Sequence, residues 1–293
     1  MDRVKIGLVG GGPWARTVHG PALAAHPGVA VAGVWTRRPE AAEALAAELG
    51  APACGDLDAL LDVSDAVAFA VPPAAQGELA VRAAERGRHL ILEKPIAADL
   101  AGARAVAAAA AGVVSSVVLT LRHDPAVRAW LAGLPGGPAG PDTVGAARWL
   151  SGALLGGPYA TSAWRAEAGA LLDLGPHVID LLDAALGPVT AVEWAHRDEP
   201  DLTRFGLLHA GGARSTALLS IRLPIDPSEV EFAVFGPGLN ARLEAKPADA
   251  QACYAHLLDG FVAAVRGEGP RPDLDAARGL RLQEIVEEVG RAC

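Results

Sequence analysis

Val4-Lys5-Ile6-Gly7-Leu8-Val9-Gly10-Gly11-Gly12-Pro13-Trp14-Ala15 is an apolar run that stops in three glycines and a proline. The run has the length and composition of a buried strand, and the residues after it, to about Ala25, read as helix. Gly10 permits a tight turn, and Gly12 lets the backbone approach a pyrophosphate. Pro13 suits a first helical turn, where a missing N–H costs nothing. Amides at the helix start then meet an anion with a favourable dipole. The spacing is G-x-G-x-x-A, a variant of the dinucleotide fingerprint, and its place between strand and helix separates it from an ordinary glycine turn.

Outward from that turn, strands and helices alternate. A second strand, Val29–Trp35, ends in Thr36-Arg37-Arg38, with no carboxylate before Glu40. The free diol of NAD asks for a carboxylate there, whereas a hydroxyl and two guanidiniums suit a 2′-phosphate. NADP is therefore favoured and NAD possible; the alternative is that both arginines only decorate the start of a helix over Pro39–Leu49. Further strands are expected over Asp65–Val71, His89–Leu92 and Val113–Leu121, with helices over Ala74–Arg86 and Asp99–Ala111. This is the pattern of a Rossmann domain, a doubly wound parallel sheet in an α/β fold, over residues 1–122.

Arg122-His123-Asp124-Pro125 ends the alternation, and a Gly/Pro-rich stretch follows at Gly133–Pro141. Residues 123–293 then show longer alternating strands: Val144–Leu150, Val189–His196, Arg204–His209, Ser215–Leu223, Glu229–Phe235 and Leu239–Ala245. One helix, about Ala170–Ala185, interrupts them. This predicts an α+β domain with a large, mostly antiparallel open sheet. Two closing helices, Gln251–Arg266 and Leu274–Gly290, are candidates to pack back on the first domain. An open sheet face suits pairing with a second copy, as a homodimer or homotetramer.

A formal net charge of -9 argues against nucleic acid or anionic lipid as partners. Ala105–Leu121, the longest uncharged run, falls short of the roughly 20 apolar residues a membrane helix needs. Cys54, Cys253 and Cys293 lack metal-ligand spacing and leave an odd count. No metal site is expected, and the reading is a reduced, cytoplasmic protein.

Two places carry ionisable groups that a structural role alone does not demand. The first is Glu93-Lys94-Pro95, at the end of the run His89–Leu92, which puts a lysine at the carboxyl edge of the sheet. Lys94 is one of only three lysines, against a majority of arginine among the 25 basic residues. An amine that can lose its proton is a different tool from a guanidinium. The second is Asp173, His177 and Asp180, at i, i+4 and i+7 on one face of an otherwise apolar helix. Such groups are costly in a buried helix unless they are paired or used, and both readings stay open on spacing alone. Arg122, His123, Tyr159, Trp164 and Arg165 are further polar candidates to line a pocket for a hydroxylated compound.

Taken together, the order of parts resembles the Gfo/Idh/MocA oxidoreductase family. The likeness rests on the glycine turn, Val71-Pro72-Pro73, Glu93-Lys94-Pro95, Trp164-Arg165 followed by Gly169–Asp180, and Phe235-Gly236-Pro237-Gly238. It departs in Glu167-Ala168-Gly169-Ala170, which keeps one glycine where the family usually has two or three. Gln76 stands where a histidine is frequent. The resemblance implies hydride transfer between a nicotinamide cofactor and a secondary alcohol or ketone of a sugar, cyclitol or related small polyol. It implies that Lys94, Asp173 and His177 form the catalytic set, with His177 exchanging the proton, Lys94 bonding the reacting oxygen and Asp173 gripping a neighbouring hydroxyl. Cofactor contacts are implied at Gly10, Gly12, Pro13, Trp14, Val71, Pro72, Gln76, Glu93, Lys94 and Trp164, beside Thr36, Arg37 and Arg38. Two alternatives within the family are a non-catalytic NAD(P)-sensing regulator and a redox-assisted NAD-dependent glycosidase.

Overall fold

The computed structural model describes residues 2–156, 160, 163–244 and 249–293, so Tyr159 and Ala245 lie outside the described residues. The chain divides into two compact units, Met1–Thr120 with Asp249–Arg281, and Leu121–Ala248 with Leu282–Cys293.

In the first unit, β1 (Val4–Val9), β2 (Val29–Trp35), β3 (Ala66–Phe69), β4 (His89–Leu92) and β5 (Ser115–Val117) form a parallel sheet in the order β2-β1-β3-β4-β5. The crossovers contain α1 (Gly20–Ala25), α2 (Pro39–Leu49), α3 (Leu57–Val63), α4 (Pro73–Glu85) and α5 (Leu100–Ala110). The chain leaves β1 first toward β2 and later toward β3, so the winding reverses there. Such a reversal opens a crevice at the carboxyl ends of the two diverging strands. Ile6, Leu8, Val34 and Ile91 have no exposed surface, and Tyr254, Leu258 and Phe261 from a late helix complete the same core.

In the second unit, α6 (Pro125–Ala132) precedes β6 (Val144–Leu150), α7 (Ala163–Leu186), β7 (Val189–Asp198), β8 (Leu202–His209), β9 (Arg214–Ser220), β10 (Glu229–Gly236) and β11 (Leu239–Glu244). The sheet order is β11-β10-β6-β9-β8-β7. Only the β6–β9 pair is parallel, so the sheet is mixed but mostly antiparallel. α7 packs on β6, β8 and β9. The chain closes with α8 (Ala250–Val265), which carries Tyr254, Leu258 and Phe261, and α9 (Ala276–Ala292). No described helix is long and apolar enough to cross a membrane.

Several boundaries differ from the sequence reading. The strand expected over Val113–Leu121 is only Ser115–Val117, because the last ladder bond runs from the Val118 N–H to Leu92 O at 2.8 Å, where β4 ends, and the Leu119 N–H then turns back to Val117 O at 2.8 Å. The strand expected over Asp65–Val71 is likewise trimmed to Ala66–Phe69. Two short helices, α3 and α6, were not anticipated. Each starts at an aspartate whose carboxylate accepts backbone N–H groups: Asp56 from Ala59 at 2.7 Å, Asp124 from Ala126 at 2.8 Å. The helix after the glycine turn opens with a π-type stretch, Ala15–His19, before α1.

Candidate active site

The first unit brings the glycine turn and Lys94 to the same edge of one parallel sheet, the turn following β1 and the lysine following β4. Gly10 has φ 124°, and a Cβ there would stand 2.3 Å from Ala70 O at the end of β3, so only glycine fits. A Cβ on Gly12 would meet nothing within 4 Å. That open space beside bare backbone is what a pyrophosphate needs, so the turn fits a dinucleotide. Pro13 starts the helical stretch beside it, and the end of β3 contributes Val71, half-buried, and Pro72, exposed.

At the end of β2, Arg37 and Arg38 are exposed. The Thr36 hydroxyl instead closes a local turn, donating to Arg38 O at 2.6 Å and accepting from Arg38 N at 3.1 Å. Its proton is already committed, which leaves the two arginines as the donors for an anion.

The bend at Lys94 is held from behind. Gln76 is fully buried; its amide N–H₂ donates to Glu93 O at 2.7 Å, Ile96 O at 3.1 Å and Pro95 O at 3.3 Å. Its carbonyl accepts the Glu93 N–H at 2.8 Å. Both ends of one amide thus satisfy backbone groups that the end of β4 leaves over. Gln76, expected among the cofactor contacts, is placed as the clamp of the bend, without surface to offer a ligand. The Lys94–Pro95 peptide is cis. Glu93 points inward: its Oε1 accepts from Trp14 Nε1 at 2.7 Å and lies 2.9 Å from His19 Nε2.

The second unit places its candidates on α7. Helical geometry breaks at Gly169 (φ 71°, ψ -174°), so the helix that carries the candidates starts at Ala170 within a longer helical span than expected. A Cβ at Gly169 would lie 2.5 Å from Arg197 Nη2 and 2.8 Å from Asp201 Oδ1, so the single glycine retained here is the one the geometry requires. Asp201 is buried and accepts the Ala170 N–H with both oxygens at 3.1 Å and the Ile221 N–H at 3.3 Å. It caps the helix and complements its dipole. Asp201→Ala is expected to lower stability by about 3 kcal/mol, since buried N–H groups lose their acceptor. Denaturant unfolding checks this, and a midpoint within error of the native one would deny the cap its importance.

The three ionisable groups on that helix have different surroundings. Asp180 has no exposed surface, and its Oδ2 accepts from Arg122 Nη1 at 3.1 Å. Here the structural reading holds, and Arg122 is its ion-pair partner. Asp173 and His177 keep a sliver of surface, at 8% and 6%. Arg165 Nε donates to Asp173 Oδ2 at 3.1 Å while its guanidinium lies 4.8 Å over the Trp164 ring. The His177 ring sits 5.7 Å from that of Trp149. An acid and an imidazole one turn apart, each just reaching the surface, can bind a hydroxyl and exchange its proton. His19, Tyr254, Trp149 and Asp201 were not singled out from sequence, because each acts on a residue remote in the chain.

Comparison with known proteins agrees with this geometry. A family model described as an oxidoreductase family with an NAD-binding Rossmann fold matches residues 4–119. The chain is 31% identical to a dTDP-3,4-didehydro-2,6-dideoxy-alpha-D-glucose 3-reductase of Streptomyces antibioticus, over 98% of this chain and 96% of the relative. It is 30% identical to a levoglucosan dehydrogenase of Pseudarthrobacter phenanthrenivorans, over 66% of this chain and 53% of that one. Among solved structures, the WlbA dehydrogenase of Bordetella pertussis, in complex with NADH and UDP-GlcNAcA, superposes with a TM-score of 0.86 at 22% identity, covering 99% of this chain and 96% of that chain.

Proposed function

Because this chain belongs to the Gfo/Idh/MocA family of NAD-binding oxidoreductases, we propose that it interconverts a secondary alcohol and a ketone on a sugar ring, at carbon 3 of a hexose. The observation that carries the reading is the shared sheet edge: the open turn at Gly12 and the clamped bend at Lys94 lie at the carboxyl ends of strands in one parallel sheet. The choice of carbon 3 is supported by the full-length relative, whose name specifies a 3-reductase of a deoxysugar nucleotide.

A bound nicotinamide supplies the hydride acceptor or donor. The chain's own part is to hold and protonate the reacting oxygen. Lys94 hydrogen-bonds that oxygen, and His177 takes its proton during oxidation or returns it during reduction. Asp173, steadied by Arg165, grips a neighbouring hydroxyl. Proton removal in step with hydride loss prevents charge from building on the carbinol oxygen.

NADP is the preferred dinucleotide in this reading, supported by exposed Arg37 and Arg38 and by the lack of a carboxylate between Trp35 and Glu40. Replacing both with alanine is expected to weaken NADPH binding about 100-fold, while NADH binding changes little, since charge-assisted bonds to a phosphate disappear. Fluorescence titration with each dinucleotide measures both constants, and equal losses would make the arginines surface decoration. The same titration, followed by an absorbance screen of free and nucleotide-linked hexoses and their 3-ketones, tests the function. A chain that binds neither dinucleotide would end this reading.

A further inference from the structure

Beneath the Glu93–Pro95 bend lies a chain of polar side chains, of which His19 and Tyr254 have no task in the reaction above. Tyr254 O–H is 3.0 Å from His19 Nδ1, His19 Nε2 is 2.9 Å from Glu93 Oε1, and Trp14 Nε1 donates to that same oxygen at 2.7 Å. Tyr254 and His19 have no exposed surface, and their rings pack with centroids 4.4 Å apart. A carboxylate only accepts, so the imidazole presents an N–H at Nε2, and a neutral ring then receives the tyrosine O–H at Nδ1. Burial, and then the nearby Glu93 carboxylate, push the Tyr254 phenol well above its ordinary range, so it remains a hydroxyl.

The backbone is shaped to make this convergence. In an ordinary α-helix, residues five apart are rotated by about 140° and face different neighbours. The stretch Ala15–His19 is π-type, with the Gly20 N–H bonded to Ala15 O. This wider turn brings Trp14 and His19 toward one side, where both reach a single carboxylate oxygen. Single-turn π insertions of this kind are uncommon and cluster at functional sites. The other carboxylate oxygen, Glu93 Oε2, lies 3.3 Å from the Lys94 backbone N–H. The orientation of Glu93 therefore bears directly on the peptide that carries Lys94.

We propose that Trp14, His19 and Tyr254 are positioning residues that set the Lys94 side chain through Glu93, and so tie the dinucleotide turn to the bend. Trp14 follows Gly12-Pro13 directly, so a shift of the turn on binding an anion passes through the indole to Glu93. Tyr254, contributed by α8, anchors the far end of the chain in the core. The catalytic consequence rests on the role assigned to Lys94 above; the positioning itself does not.

The small number of lysines makes a test that needs no substrate. Reductive methylation of the full chain with ¹³C-formaldehyde labels Lys5, Lys94, Lys246 and the N-terminal amine, and Lys94→Arg identifies the Lys94 signal by its loss. Tyr254→Phe and His19→Leu are expected to move the Lys94 signal and leave that of Lys5 in place. His19→Gln, whose amide can donate to Glu93 and accept from Tyr254, should bring it back toward the native position. In turnover assays His19→Leu should lower kcat about tenfold, the order expected for losing a buried hydrogen bond, with little change in dinucleotide Kd. A Lys94 signal unmoved in both variants, with the fold intact, would overturn the proposal. A signal that moves while turnover does not would sustain the positioning and overturn instead the catalytic assignment of Lys94.

Discussion

Lys94→Ala is expected to abolish turnover, a loss of about a thousandfold or more for a group that stabilises the reacting oxygen, while the chain should still bind its dinucleotide with near-native affinity. The structure separates these two effects. Every hydrogen bond that Gln76 makes to the bend goes to backbone atoms, the Glu93 N–H and the carbonyls of Glu93, Pro95 and Ile96. Removing the amine leaves that clamp in place, so the loop keeps its course. The glycine turn at Gly10–Gly12 follows a different strand of the same edge. Lys94→Arg should fail as well, because a planar guanidinium that never gives up its charge cannot replace a compact amine at one oxygen. Initial rates by nicotinamide absorbance, set beside Kd from fluorescence titration, distinguish a lost chemical step from a lost site. Turnover within a few fold of native would remove Lys94 from the mechanism.

What the sequence discloses of this molecule follows from where its hydrogen bonds go. β1, β2 and β4 are legible because strands buried on both faces write themselves as continuous apolar runs, and the glycine turn because backbone approach to an anion demands residues without side chains. β5 is misjudged in length because its ladder ends with the Val118 N–H on Leu92 O and the Leu119 N–H turns back to Val117 O, while the apolar run in the sequence goes on. The short helices α3 and α6 had a signal, the capping aspartates Asp56 and Asp124, but too few turns to show a period. The face holding Asp173 and His177 is legible from i, i+4 spacing. What separates those two from Asp180 is not, since that depends on Arg122 meeting a side chain 58 residues away. Gln76 and Tyr254 are the extreme cases: an amide and a phenol acquire their roles only when partners 17 and 235 residues distant are folded against them.

Removing the imidazole is expected to slow hydride transfer by about 10²–10⁴-fold, the range for a lost general acid–base group. His177→Ala leaves the helix standing, since Asp201 still caps Ala170 and the flanking Val178 and Ile179 remain wholly buried. It also leaves Asp173 bonded to Arg165, so binding of a neighbouring hydroxyl should persist and KM change less than kcat. Imidazole in the buffer should restore part of the rate, because the deletion opens ring-sized space beside Trp149, at a point where His177 reaches the surface. Asp180→Asn is the control from the same helix face. It breaks a buried ion pair with Arg122, at a cost of about 3 kcal/mol in stability, yet the fraction that folds should turn over at the native rate. Unfolding curves and single-turnover rates on both variants decide the matter: a His177→Ala protein as fast as the native chain would move the proton to another group, and a slow but fully stable Asp180→Asn protein would show that the buried pair takes part in the chemistry.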